Sequence, residues 1–185
     1  MPAWIPNVIT IGRLISVPIF VALLLNGDRT AAVWVFVAAG VSDAVDGFLA
    51  KRFDAASKLG AFLDPVADKA LLLAAFMTLG LLGEAPLWLV AAVVLRDIVI
   101  VGGALLYHSV TQALTMEPLA VSKLNTLVQI ALAAAILARL GLDWNSGPVE
   151  TMLIYAAAAT TTVSGGAYIW IWGRRYAAFE RQEGK

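Results

Sequence analysis

Six apolar runs, each about as long as a membrane crossing, constrain this chain more than any other feature. A helix needs roughly 17–25 mainly apolar residues to cross a hydrocarbon core of about 30 Å. Short polar or turn-forming breaks separate the runs. The runs cover approximately residues 8–25, 31–50, 59–82, 86–107, 119–139 and 149–172. This pattern predicts an all-α integral membrane protein, a bundle of six transmembrane helices.

Composition supports this class and excludes several others. The 185 residues are 61% hydrophobic, with a mean hydropathy of +0.83, well above the apolar share of a soluble domain. The 13 basic and 13 acidic residues balance, so no basic surface indicates a nucleic-acid partner. The absence of cysteine excludes disulfides, thiolate nucleophiles and cysteine-based metal centres. The lone histidine, His108, is interpreted as a helix-end residue near the membrane interface rather than a metal anchor.

Charge placement predicts how the spans are oriented. Basic residues cluster in the 51–58 loop and in the C-terminal tail, whereas the opposite side carries Arg29 and Arg139. By the positive-inside rule, the 51–58 loop, the 108–118 loop and both termini face the cytoplasm. An even number of spans agrees with this orientation.

The N-terminal residues predict a short segment that lies at the membrane interface. Trp4 and Ile5 stand between two prolines, and a tryptophan ring is stable at the interface. The segment lacks the basic flank and the small-residue cleavage site of a signal peptide, so we expect no cleaved leader. The chain shows no repeat and no long linker, which predicts a single membrane domain over residues 1–185.

Four aspartates inside the second and third spans point towards function. A carboxylate within a span costs roughly 2.5–3.5 kcal/mol even on lenient scales, so four of them require a shared stabilising partner. Asp43 and Asp46 lie about 60° apart on one helix, and Asp64 and Asp68 about 40° apart on the next, all at one depth. Oxygen-only ligation favours Mg²⁺ or Mn²⁺, and four carboxylates can hold two such ions roughly 3.5–4 Å apart around a phosphoryl group.

A cation pathway or proton relay is the alternative for these aspartates, because membrane carboxylates also mark ion routes. Such a path would spread its carboxylates along the membrane normal, whereas these four share one level. The neighbouring small residues Gly47, Ala50 and Gly60 leave room for a ligand beside the helix backbone. Lys51 and Arg52 stand where they can contact phosphate oxygens or serve as an ordinary cytoplasmic flank.

These residues resemble a known signature. The pattern D-x-x-D-G-x-x-A-K over 43–51, followed by G-x-x-x-D-x-x-x-D over 60–68, is similar to that of the CDP-alcohol phosphatidyltransferases. Lys51 stands where the family usually has arginine, and it keeps the charge but loses bidentate phosphate geometry. The pattern I-P-N-x-x-T-x-x-R over 5–13 also resembles the N-terminal entry of the family. The likeness therefore covers most of the chain.

The resemblance implies an activity and roles for individual residues. Members of the family displace CMP from a CDP-linked lipid or alcohol by attack of an acceptor hydroxyl, with two divalent ions, Mg²⁺ or Mn²⁺. Asp43, Asp46 and Asp64 are then expected to bind metal, and Asp68 to contact metal and to act as the general base. The residues expected to contact the CDP group and its phosphates are Thr10, Gly47, Ala50, Lys51, Arg52 and Gly60.

Later segments narrow the choice of acceptor. Residues 95–107 and 121–129 resemble the mitochondrial-type cardiolipin synthases of this family, with the phosphatidylglycerophosphate synthases as close relatives. In the latter the fifth span usually opens with K-x-K-T, whereas here Asn125 replaces the second lysine. The phosphate of glycerol 3-phosphate carries nearly two negative charges and favours two cations. Lys123 with Ser122 and Asn125 suits the singly charged phosphodiester of phosphatidylglycerol. We therefore expect CDP-diacylglycerol and phosphatidylglycerol as substrates, with glycerol 3-phosphate as the alternative acceptor.

Three further features of the later spans each have two interpretations. Arg96 either contacts the acceptor or forms an internal charge network with Asp97, and Gln129 either binds the acceptor or makes interhelical hydrogen bonds. Small residues at 102–104 and 165–167 favour the homodimer typical of the family, or else close packing within one bundle. We expect the protein in a bacterial cytoplasmic membrane, with its active site on the cytoplasmic side.

Overall fold

The structure, a computed structural model, consists of helices. It describes residues 4–53, 58–111 and 119–183, and the side chains of 8–43, 69–103 and 119–174. Within these ranges six helices follow one another and no strand is present. They are α1 (Trp4–Leu25), α2 (Arg29–Phe53), α3 (Lys58–Leu81), α4 (Leu87–Thr111), α5 (Ala120–Leu142) and α6 (Gly147–Glu183). The predicted all-α class is confirmed, and each helix overlaps one predicted apolar run.

Turn residues end the helices at the predicted breaks. Gly27 follows α1 with a φ of 85°, and Gly83 follows α3 with a φ of 75°, in the left-handed region that favours glycine. The amide of Asp28 donates to the carbonyl of Leu23 over 2.9 Å, which satisfies one of the last carbonyls of α1. Asp143, with a φ of 53°, adopts the same region after α5.

The distribution of apolar side chains is that of a membrane protein. Among the described residues, three helical segments are long and apolar enough to cross a bilayer: Val8–Leu25, Ala120–Leu142 and Gly147–Arg174. Large apolar side chains such as Trp34 and Trp170 are exposed, whereas polar ones such as Arg13 and Asn125 are buried. Exposed large apolar side chains together with buried polar ones are typical of a protein whose surface faces lipid. The protein is therefore an all-helical membrane protein, and the count of six crossings stays a prediction.

Most predicted boundaries differ from the structure by one to four residues, and two of the differences bear on interpretation. α1 begins at Trp4, so the N-terminal segment continues into the first helix without a break, and its interfacial position stays a prediction. α6 continues to Glu183, well past the predicted limit of residue 172. Hydropathy marks only the apolar part of a helix, because a helix that leaves the membrane continues through polar residues.

Contacts along the chain divide it into two compact units. The first unit contains Met1–Ala85 and Ala133–Gly147, and the second contains Pro86–Leu132 and Pro148–Lys185. The first half of α5 therefore belongs to the second unit, and its last half to the first. The expectation of one domain over residues 1–185 stays a prediction.

In the first unit α1 packs against both α2 and α3, the helices that carry the four aspartates. Phe20 of α1 is fully buried, and its ring centroid lies 5.9 Å from that of Phe36 of α2. Phe76 and Leu79 of α3 are also fully buried. Helices in a bilayer associate through close van der Waals packing of such side chains, and this packing fixes the backbone on which the aspartates are placed.

One end of the first unit is joined by polar contacts around Glu84. Its carboxylate lies 3.1 Å from Arg139 Nη2 and 3.7 Å from Arg29 Nη2. The hydroxyl of Thr30 donates to the carbonyl of Gly141 over 2.7 Å. The two basic residues that the sequence assigns to the non-cytoplasmic side thus share one carboxylate, and the start of α2 is tied to the end of α5.

We expect Gly141→Ala to destabilise the protein by about 1–3 kcal/mol, despite the better helix propensity of alanine. A Cβ at this position would lie 2.7 Å from the carbonyl oxygen of Arg29 and 2.6 Å from Cγ2 of Val33. The carbonyl belongs to the backbone and cannot turn away. Thermal unfolding in detergent measures the effect, with Gly40→Ala as the control, since a Cβ there meets nothing within 4 Å. Equal melting of the two variants would contradict this packing.

Candidate active site

An ion pair between α1 and α2 involves the first of the predicted metal ligands. Nη1 of Arg13 lies 2.8 Å from Oδ1 of Asp43. The Arg13 side chain is 1% exposed, whereas that of Asp43 is 48% exposed. One carboxylate oxygen is therefore held by a buried cation, while the group stays open on its other side. Thr10, one turn earlier on α1, is also buried, and its predicted contact with the CDP group stays a prediction.

The aromatic contact sets the register that brings this ion pair together. Arg13 precedes Phe20 by seven residues on α1, and Asp43 follows Phe36 by seven residues on α2. Two antiparallel helices require this relation, because a step forward on one helix matches an equal step backward on the other. Seven residues are about two helical turns, so both contacts lie on one face of each helix.

The other predicted aspartates lie on α2 and α3. Asp46 is three residues after Asp43 on α2, and Asp64 and Asp68 are four residues apart on α3, so each pair shares one helix face. The side chains of Asp46, Asp64 and Asp68 lie outside those that the structure describes. The same holds for the predicted CDP-contacting residues of α2 and α3, which are Gly47, Ala50, Lys51, Arg52 and Gly60. Their roles stay predictions.

The residues present fit a hard divalent cation. Within the described side chains no three carboxylate or histidine groups converge, and of the four predicted ligands only Asp43 belongs to that set. Asp43 offers a carboxylate that is half open, and every predicted ligand is a carboxylate. Such oxygen donors suit Mg²⁺ or Mn²⁺ better than zinc. Metal binding itself stays a prediction.

In the second unit, Asn125 of α5 lies in a buried polar cluster. The side chain is fully buried, and its Oδ1 lies 2.8 Å from the hydroxyl of Thr160 and 2.9 Å from that of Thr161. Gln129 Nε2 donates to the Thr161 hydroxyl over 3.3 Å, which is an interhelical hydrogen bond. The Asn125 Nδ2 has no hydrogen-bond partner within the part of the chain that the structure describes.

Arg96 of α4 connects three helices of the second unit. Its Nη1 lies 2.6 Å from Oδ1 of Asp97, and its Nε and Nη2 lie 3.2 and 2.9 Å from the Ser164 hydroxyl of α6. Nη2 also donates to the Ser122 hydroxyl of α5. The structure thus shows the internal network that the sequence left as one of two interpretations. Contact of Arg96 or Ser122 with an acceptor stays a prediction.

The remaining predicted acceptor residue, Lys123, is exposed on α5. The hydroxyls of α6 that pair with α4 and α5 were missed by the sequence reasoning. They belong to Thr160, Thr161 and Ser164, within a T-T-T-V-S run in the apolar part of α6. Polar residues at i, i+1 and i+4 in such a helix need partners, and this spacing could have marked them as an interhelical face.

The small-residue sets pack partly within the chain. An added Cβ at Gly103 would lie 2.7 Å from the indole ring of Trp172 on α6, and one at Gly165 would lie 3.7 Å from the side chain of Arg96. At Gly102 and Gly166 an added Cβ would meet nothing within 4 Å. Each set therefore has one glycine that serves internal packing and one that does not, and the homodimer stays a prediction.

The fold and the paired aspartates define a class, an all-helical membrane protein with two aspartates on each of two consecutive helices, α2 and α3. Comparison with known families identifies it further. The family described as CDP-alcohol phosphatidyltransferase matches residues 3–163, which include both aspartate pairs and parts of both units. The chain belongs to the CDP-alcohol phosphatidyltransferase family.

Individual relatives carry two different names. The chain is 31% identical over 179 residues to a cardiolipin synthase (CMP-forming)/mitochondrial hydrolase fusion protein of Schizosaccharomyces pombe, covering 89% of this chain and 30% of that protein. It is 31% identical over 181 residues to a probable cardiolipin synthase (CMP-forming) of Drosophila melanogaster, with 89% and 56% covered. It is also 31% identical over 180 residues to a CDP-diacylglycerol–glycerol-3-phosphate 3-phosphatidyltransferase of Bacillus subtilis, with 89% and 92% covered. The chain thus spans less than two thirds of the first two relatives.

Proposed function

We propose that this protein transfers a phosphatidyl group from CDP-diacylglycerol to phosphatidylglycerol, giving cardiolipin and CMP. A bond forms between the acceptor hydroxyl oxygen and the phosphorus that carries the diacylglycerol, and the bond from that phosphorus to the CMP oxygen breaks. Family membership and the paired aspartates of α2 and α3 support the transfer. The neutral residue at position 125 supports the choice of acceptor.

In this proposal the four aspartates bind the metal ions, and one of them also accepts a proton. Asp43, Asp46, Asp64 and Asp68 would hold two divalent ions, Mg²⁺ or Mn²⁺, which supply positive charge against the diphosphate. Asp68 accepts the proton of the attacking hydroxyl. The basic residues Lys51 and Arg52 and the small residues of the signature, with Thr10 of α1, bind the CDP group through its phosphates.

Position 125 is the observation that carries the choice of acceptor. Asn125 is neutral and fully buried, and its oxygen faces the hydroxyls of Thr160 and Thr161. The cation on this turn of α5 is the exposed Lys123. A single cation suits a phosphodiester with one negative charge, whereas glycerol 3-phosphate carries nearly two and favours a second cation. Phosphatidylglycerol is therefore the better match.

Phosphatidylglycerophosphate synthesis from glycerol 3-phosphate is the second candidate. It is favoured by the Bacillus subtilis relative, of which this chain covers 92% at 31% identity. The two candidates share the CDP-lipid substrate and the aspartates, and they differ only in the acceptor.

We expect Asn125→Lys to shift the acceptor preference towards glycerol 3-phosphate by about ten- to a hundredfold. A charge-assisted hydrogen bond contributes roughly 1.5–3 kcal/mol, and the second cation favours the dianion. The measurement is the product ratio when both acceptors compete at a fixed concentration of CDP-diacylglycerol. Ala120→Lys, which adds the same charge at an exposed position of α5, is the control and should keep the wild-type ratio. Wild-type protein that already prefers glycerol 3-phosphate would instead establish the second candidate.

We also propose a homodimer in the bacterial cytoplasmic membrane, with the active site and both termini on the cytoplasmic side. The distribution of basic residues supports the orientation. Gly102 and Gly166, where an added Cβ meets nothing within 4 Å, leave surfaces that permit close helix approach. Native mass spectrometry from a mild detergent should show the dimer, and a spectrum with monomer alone would count against it.

A further inference from the structure

We propose that Arg13 is a positioning residue for the metal site. Its guanidinium holds one oxygen of Asp43 so that the other oxygen is presented to the metal ion. The inference rests on the proposed function, because it takes Asp43 as a metal ligand. It adds a residue of α1 to a site that the sequence builds from α2 and α3 alone.

The geometry of the ion pair carries this inference. Arg13 Nη1 lies 2.8 Å from Asp43 Oδ1, and the Arg13 side chain is 1% exposed, so the surrounding helices fix the guanidinium. The Asp43 side chain is 48% exposed, so packing alone does not fix its carboxylate. A fixed donor restricts the orientation of that carboxylate. Groups that hydrogen-bond to a metal ligand in this way typically affect metal affinity or activity by about 10–100-fold.

The position of Arg13 is itself determined by packing. Phe20 lies about two turns from Arg13 on the same face of α1, and Phe36 lies about two turns from Asp43 on the same face of α2. The contact between their rings sets the register of α1 against α2. The Ser16 hydroxyl donates to the Arg13 carbonyl over 2.6 Å. The part of α1 that carries Arg13 is thus placed by the core of the first unit, independently of any ligand.

Two other roles for Arg13 make different predictions. A purely structural cation would stabilise α1 against α2 without affecting metal affinity in the folded protein. A cation that chiefly repels the metal would weaken metal binding, so that its removal would strengthen it. Orientation of Asp43 predicts the opposite sign, because the unrestrained carboxylate loses its alignment when Arg13 is removed.

The test measures Mn²⁺ binding to the purified full-length protein in detergent, without lipid substrate. Binding is detected as a loss of the paramagnetic resonance signal of the free ion. Arg13→Gln should bind Mn²⁺ about 10–100-fold more weakly than wild type. Arg13→Lys should lie between them, since lysine keeps the charge but loses the planar fork. Arg29→Gln, which removes a guanidinium near Glu84 at the other end of α2, is the matched control and should bind as wild type.

Equal or tighter Mn²⁺ binding by Arg13→Gln would overturn the inference while leaving the proposed function in place. If that variant does not fold, Arg13→Lys decides, and wild-type affinity there would overturn the inference as well. Wild-type protein that binds no Mn²⁺ would overturn both the inference and the two-metal site on which it rests.

Discussion

Asp43→Asn, Asp46→Asn and Asp64→Asn are each expected to lower turnover by more than about a hundredfold while the protein stays folded. Loss of a group that merely orients a metal ligand costs about 10–100-fold, so loss of a charged ligand itself should cost more. Asparagine keeps the shape of the side chain but removes its charge, which leaves the cation under-coordinated and the diphosphate less well stabilised. The measurement is CMP release from CDP-diacylglycerol in the presence of phosphatidylglycerol.

Asp143→Asn is the matched control for this series. It makes the same substitution in the first unit, at an exposed residue whose φ of 53° asparagine also adopts. The control should release CMP at the wild-type rate. Activity within a few-fold of wild type for any of the three site variants would remove that aspartate from the metal site.

Asp68→Asn is expected to lower the chemical rate by about 10²–10⁴, with a smaller loss of affinity for CDP-diacylglycerol. Proton transfer to a positioned base contributes rate acceleration of this size, and an amide cannot accept the proton. Single-turnover kinetics measure the chemical step, and binding of the CDP-lipid measured without acceptor gives the affinity. Equal losses in both would assign Asp68 to metal binding alone.

The helices could be predicted from the sequence because apolar length encodes them directly. The predicted third span of 59–82 corresponds to α3 at Lys58–Leu81, and the Gly27 and Gly83 turns lie at the predicted breaks. The spacing within each aspartate pair also follows from the helical repeat alone. What hydropathy could not show is the polar continuation of α6 to Glu183.

Partners across helices were the part that the sequence did not show. Arg13 lies inside an apolar run, and a cation there requires an anion at a similar depth, so a partner on another span was to be expected. Its identity as Asp43 depends on the register set by Phe20 and Phe36, which arises from packing. The sequence marked Asn125 and Gln129 of α5 as candidate polar residues, but their pairing with α6 depends on how each helix is rotated about its axis.

The most direct test of the central claim is lipid mass spectrometry of the product formed by purified protein from CDP-diacylglycerol and isotope-labelled phosphatidylglycerol. With Mg²⁺ or Mn²⁺ present, we predict labelled cardiolipin and CMP in equal amounts, and neither product after chelation of the metal. Unlabelled glycerol 3-phosphate in the same reaction should yield little phosphatidylglycerophosphate. Phosphatidylglycerophosphate as the main product, or cardiolipin formation that is indifferent to chelation, would contradict the account.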